Sequence, residues 1–204
     1  MNTLSPFTRA LPGPRWSLAG RRLGGRLLLC LALVATFGSG SAALRAGETL
    51  EAKVKAVVLT KVLLFVDLGR PRQSDDELVI ALLGKSDLEP HLVAALEGFG
   101  TRHRKLRIEK ARSLETVPHA DVIFVPATES VDRCALIRLA RRERALTITD
   151  QELVSRPGIM IGLVRQGNRV AIEIDNQEAQ RAGVRISSKL LHLAHVVAPP
   201  LECY

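Results

Sequence analysis

ELVIALLG, Glu77 to Gly84, is an apolar run of strand length, and LEPHLVAAL, Leu88 to Leu96, follows it as a short helix stopped by Gly98 and Gly100. A short run with apolar side chains at successive positions has no solvent face, so it belongs in a sheet covered on both sides. ADVIFV, Ala120 to Val125, is a second such run, and Ala145 to Thr149 is a further strand, with a helix over Val131 to Arg142 between them. Strands that alternate with helices pair in parallel through crossover helices.

Working outward, Ile159 to Val164 and Arg169 to Ile174 form a hairpin closed at Gly167-Asn168. Asp150 is placed to cap a short helix after the third strand. Asn176 to Ala182 and Ser187 to Val197 read as the closing helices, the latter capped by Ser187 or Ser188. Upstream, Leu50 to Leu68 reads as a helix whose apolar side is Leu50, Val54, Val57, Val58, Phe65 and Leu68, with Lys53, Lys55 and Thr60 polar. Lys61 falls on that apolar side. Lys105 to Glu109 alternates as a strand with Leu106 and Ile108 inward, and Ser113 to Val117 is a short helix or turn. The expected fold is a single compact α/β domain, a mixed and mostly parallel sheet flanked by helices.

The chain has 204 residues, 47% hydrophobic and 25% charged, which is the profile of a globular protein. Aromatic residues are 3%, too few for a base-stacking platform. The formal charge of +8 is unevenly placed. Residues 1 to 46 hold six arginines and no acid, which leaves 23 basic against 21 acidic groups on the other 158 residues. A nearly balanced domain gives no reason to expect nucleic acid as a partner.

The basic leader continues into LLLCLALVATF, Leu27 to Phe37, and then into the small residues of GSGSAALRAG. That order is a secretory signal, with Ala43 and Ala46 as equivalent cleavage points. An uncleaved anchor is the alternative, since Leu27 to Leu44 is free of charge for 18 residues. Either places the domain outside the cytoplasm. The expected organisation is a signal over 1–46, a domain over 47–198 and a tail over 199–204. Cys134 and Cys203 remain after cleavage and could bridge, tying down the tail, or stay free or pair between molecules.

Motifs of catalysis are absent: no GxSxG elbow, no phosphate-binding loop, no GxGxxG and no HExxH. His192 and His195 lie three apart on the last predicted helix with no third ligand in sight. They read as packing or surface residues, and no catalytic residue, metal site or cofactor is assigned. Asp75-Asp76-Glu77 reads as a solvated loop. The basic residues Arg102, Arg104, Lys105, Arg107, Lys110 and Arg112 read as the solvent face of one strand.

Five segments together resemble the YfiR-like family of exported regulators. They are VKAVVLTKVLLFVDL (Val54 to Leu68), LVIALLGKSDL (Leu78 to Leu88), HADVIFVPATES (His119 to Ser130), LTITDQELVSRPGIMIGLVRQGNRVAIEID (Leu146 to Asp175) and AGVRISSKLLHLAHVV (Ala182 to Val197). Three positions depart from the family pattern: Thr60 stands for Tyr, Leu68 for Trp, and Ile159 for one glycine of a pair. The resemblance implies regulation rather than catalysis. It implies a periplasmic protein that binds and represses a membrane partner, with a diguanylate cyclase as the expected one and another membrane sensor as the broader class. Cyclic di-GMP and biofilm formation would then be lowered, and association with a second copy stays open. A periplasmic small-molecule sensor acting on another receptor is the alternative. The candidate partner-binding residues are Lys61, Phe65 and Leu68 at the end of the first helix and Ser187, Ser188 and Lys189 at the start of the last. Phe65 and Leu68 have a competing role in the core, and Ser187 and Ser188 as caps.

Overall fold

The structure is a computed structural model that describes residues 40–69, 77–99 and 106–200. The chain divides into two units, Met1–Arg45 and Ala46–Tyr204, and the second holds the fold. Its core is β2 (Leu78–Leu83), for which a two-residue β1 (Val66–Asp67) is the forerunner in the chain. All six residues of β2 are buried. Leu78, Ile80 and Leu82 enter one apolar cluster, and Val79, Ala81 and Leu83 enter another on the opposite face. The period of two along a strand thus feeds two cores at once.

Strand β2 pairs in parallel with β3 (Leu106–Ala111) on one side and with β4 (Val122–Val125) on the other. Next come β5 (Leu146–Thr149), parallel to β4, and β6 (Ile161–Gln166), parallel to β5. Then β7 (Arg169–Ile174) turns back as the antiparallel arm of the hairpin. The seven-stranded order is β3-β2-β4-β5-β6-β7-β9, with β9 (His195–Val196) on the far edge. The domain is therefore the mixed, mostly parallel α/β fold that the sequence implies.

One face is covered by α1 (Gly40–Val62), α2 (Glu89–Phe99), α4 (Asn176–Arg181) and α5 (Ser188–Leu193), which place Leu59, Leu92, Ala179 and Leu190 in the first cluster. The other face is covered by α3 (Arg133–Glu143) through Leu136 and Leu139, with Leu153 and Ile159 beside them. Asp132 caps α3 by accepting from the backbone N–H groups of Cys134 and Ala135, at 2.8 and 3.1 Å. The Arg141 guanidinium of α3 forks onto the fully buried Glu178 carboxylate of α4, at 2.9 and 2.7 Å. Paired and doubly hydrogen-bonded, a buried carboxylate is tolerated there.

Four expectations change. The inward side of α1 is Ala52, Ala56, Leu59 and Val62, with Lys55 and Thr60 also buried, while Leu50, Val54 and Val57 are exposed. Small alanines let the helix lie close on the sheet, so residue size rather than apolar count chose the face. The segment after Asp150 is a run of turns rather than a helix; the Asp150 carboxylate accepts instead from the Ala127 N–H. The last helix stops at Leu193, and His195-Val196 join β7 as a parallel edge strand. A two-stranded ribbon, β1 with β8 (Arg185–Ile186), has no counterpart in the sequence reading. Asp75, Asp76, Arg102, Arg104, Lys105, Cys203 and the leader over 1–39 lie outside the described residues.

One buried hydroxyl is orphaned. Thr149 Oγ1 at the end of β5 has no hydrogen-bond partner among the described residues. Its neighbour Thr147 is satisfied by the Met160 N–H at 3.0 Å. Replacing an unpaired buried hydroxyl with a methyl removes a desolvation cost. Thr149→Val is expected to raise stability by about 1 kcal/mol, read as a higher urea midpoint at unchanged slope; the same change at Thr147 is expected to lower it.

Candidate functional site

The two candidate segments lie 120 residues apart in sequence and meet in space. At the end of α1 a single 3-10 turn, Leu63–Phe65, leads into β1. Val66 pairs with Ile186 and Asp67 with Arg185, antiparallel, and the Ser187 N–H donates to the Phe65 carbonyl at 2.9 Å. The Arg185 guanidinium reaches the Asp67 carboxylate across the pair. Gly69 and Gly183 close the ribbon. Both hold positive φ, and a Cβ on Gly69 would stand 2.7 Å from the Gly183 carbonyl oxygen, so only glycine fits that approach. Arg144 adds a tie by donating to the Gly69 carbonyl at 2.8 Å.

Lys61, Ser188 and Lys189 are exposed, and Phe65 and Ser187 are half-buried. Ser187 caps α5, accepting from the Lys189 N–H at 3.3 Å. Leu68 is packed in the first cluster at 8% exposure, so its side chain is withdrawn from the surface.

A second feature was not foreseen. The sheet changes the direction of its connections between β2 and β4, and a crevice opens at the carboxyl ends of the parallel strands, where open α/β sheets bind ligands. Its volume is about 1130 Å³. The turn after β2 (Gly84 to Leu88), the end of β3 (Lys110 to Arg112), the turn after β4 (Pro126 to Glu129), Asp150, and Glu51, Ala52 and Lys55 of α1 line it. No two of these stretches are adjacent in sequence, so no local motif could have announced the site.

Its walls are tied to one another. Lys55 is buried and donates to Glu51 Oε1 at 2.7 Å and to the Asp150 carbonyl at 3.2 Å. Arg165 reaches the other oxygen of Glu51 at 3.1 Å. Burial opposes ionisation of Glu51, but Lys55 and Arg165 outweigh it and hold the carboxyl below its usual range. Arg156 donates to the Ala127 and Glu129 carbonyls and to Gln151 Oε1, at 2.7, 2.6 and 2.6 Å, which fixes the turn after β4. Gly84 has φ of +67°, and a Cβ there would collide with the Glu129 side chain. Among the described residues the side-chain charges of Lys85, Asp87, Arg112 and Glu129 have no partner, so the crevice offers two free cations and two free anions.

No histidine or cysteine lines the crevice. Ser86 Oγ accepts from the Leu88 N–H at 3.2 Å rather than facing a base. The described residues contain no group of three His, Cys, Asp or Glu placed to hold a metal ion. His192 sits against the Ser188 carbonyl at 2.6 Å while His195 lies on β9, so the two do not share a helix face. Cys134 is disulfide-bonded. No described helix is long and apolar enough to cross a membrane.

Among the described residues the site thus consists of a crevice tied by Lys55, Glu51 and Arg156 and a junction of two distant chain segments. The chain belongs to the YfiR/HmsC-like family, whose model matches residues 52–195, and that family is one of periplasmic regulatory proteins. No curated protein matches the chain. A similar solved structure is the crystal structure of a conserved domain protein from Vibrio cholerae O1 biovar El Tor, with 12% identity, a TM-score of 0.49 and 71% of this chain covered. The match spans 59% of that protein's chain.

The Glu51 cluster predicts an acid-dependent stability. A carboxyl held below its unfolded value of about 4.5 stabilises the fold above that value, and the contribution is lost as pH falls through the lower, folded value. Glu51→Gln is expected to be less stable than the natural chain at neutral pH, and the gap is expected to close on acidification below 4.5. Denaturant midpoints for both proteins across that range measure it.

Proposed function

We propose that this chain is an exported regulator that binds the periplasmic part of a membrane signalling protein and holds it inactive, with a diguanylate cyclase as the partner. Family membership supports the regulatory role. The observation that supports a protein partner is the β1–β8 ribbon, which brings Phe65 beside Ser187; in this reading Lys61, Phe65, Ser187, Ser188 and Lys189 take part in the contact. In this reading residues 1–46 direct export and are removed, 47–198 are the regulator, and 199–204 are a tail. A Cys134–Cys203 bridge, consistent with the disulfide at Cys134, pins that tail near the start of α3.

Repression is a matter of differential binding. A regulator shifts its partner only as far as it prefers the inactive state over the active one. Turning a mostly active cyclase into a mostly inactive one takes a preference of about 10⁴. Interfaces able to do this bury roughly 800 Å² on each partner, some 20–30 residues a side. The five residues above are therefore one part of a larger contact.

Crosslinking of the tagged protein in its own cells is expected to recover a membrane protein that carries a cyclase domain. Deleting the regulator is expected to raise cyclic di-GMP. Recovery of a sensor of another kind, with cyclic di-GMP unchanged on deletion, would keep the regulatory role and remove the cyclase.

The crevice supports a second reading, a periplasmic sensor of small polar ligands. Its free, charge-balanced side chains and its place at the strand ends favour a compact ligand bearing both charges. A ligand present at 100 times its Kd stabilises the fold by about 2.7 kcal/mol. A thermal-shift screen of polar metabolites is expected to find one whose stabilisation is lost in Lys85→Ala; a flat screen would set this reading aside.

A further inference from the structure

Helix α1 is apolar on two faces, and only one of them is used. Ala52, Ala56, Leu59 and Val62 lie in the core. On the opposite side Leu50, Val54 and Val57 are 62, 39 and 45% exposed, and Leu64, in the 3-10 turn that follows, is 42% exposed. With Lys61 the three helical residues occupy positions 50, 54, 57 and 61, at steps of four, three and four. That is the seam spacing with which one helix receives another. Single exposed apolar side chains are ordinary on a protein surface, but a row in helical register is a patch.

The charges beside the seam say what kind of partner fits. Lys53 and Lys61 are exposed, and neither has an ion-pair partner among the described residues. A second copy is disfavoured. Two α1 helices side by side in parallel would set Lys61 against Lys61, and an antiparallel pair centred on Val57 would set Lys61 beside Lys53. Like charges so placed destabilise a helix pair. The leader is no better, since residues 1–46 hold six arginines and no acid.

We propose that the outer face of α1 receives an amphipathic helix of the membrane partner, apolar at the same spacing and carrying Asp or Glu opposite Lys53 and Lys61. This rests on the regulatory reading above and names the surface through which it acts. The stripe runs down α1 toward the 3-10 turn that holds Phe65, so it would extend the contact proposed there.

The test uses the full exported chain in its own cells, with a photo-crosslinking residue at position 57 and, separately, Val57→Glu and Lys61→Glu in the tagged protein. Val57 is exposed, so the variants are expected to fold with unchanged melting temperatures. Light is expected to join position 57 to the membrane protein that general crosslinking captures, at an acidic, heptad-spaced helix. Both variants are expected to capture about tenfold less of it, the effect of losing one central contact. If the natural chain captures a membrane protein but Val57→Glu captures as much, the regulatory reading stands and this surface is wrong. If position 57 joins only to a second copy, the occupant is the chain itself and the proposal is overturned. Binding to phosphatidylglycerol vesicles that Val57→Glu abolishes would reassign the stripe to the lipid surface and overturn it as well. If no membrane protein is captured from any position, the regulatory reading fails and takes this proposal with it.

Discussion

The burial of β2 on both faces is the constraint from which the rest follows. A six-residue strand with no exposed position needs neighbours on both edges and cover on both sides. Parallel β3 and β4 supply the edges. Because β2 connects outward to β3 on one side and β4 connects outward to β5 on the other, the loops at the carboxyl ends diverge and leave a crevice. The cover on one side includes α1, and its alanines let it sit close. The crevice, its α1 wall and the exposed outer face of α1 are all consequences of how this one strand is enclosed.

The sequence made some of this legible and hid the rest for physical reasons. ELVIALLG and ADVIFV announce buried strands because length and continuity of apolar residues are local properties, and the hairpin follows from its glycine turn. The strands β1, β8 and β9 have two residues each, too short for any period to register. The face of α1 was misread because apolar residues ring it. Leu50, Val54 and Val57 are as hydrophobic as the residues that went inward, and what separates them is the close fit that Ala52 and Ala56 permit. Buried Lys55 and Thr60 could not be anticipated either. Lys55 is accepted because Glu51 and the Asp150 carbonyl meet its ammonium, and Thr60 because its hydroxyl donates back to the Val57 carbonyl at 2.8 Å.

The candidate site was legible in part. The two segments were chosen separately, one at each end of the domain, and the ribbon that unites them depends on Gly69 and Gly183 approaching within contact distance. Nothing local in either segment encodes that meeting. Leu68 is the residue for which a role in the core displaced a role at the surface. The crevice drew no expectation at all, because its lining is collected from five stretches of chain that only the finished sheet assembles.

The ribbon also sets an order of folding events. Pairing Val66 with Ile186 closes a loop of nearly the whole domain for a ladder only two residues long. Closing so long a loop costs entropy that so short a ladder cannot offset alone, so the pairing waits until β2 to β7 have already brought its ends together. A half-folded chain thus has no assembled junction. The meeting of the two segments exists only on molecules whose sheet is complete, so the ribbon is a mark of finished folding.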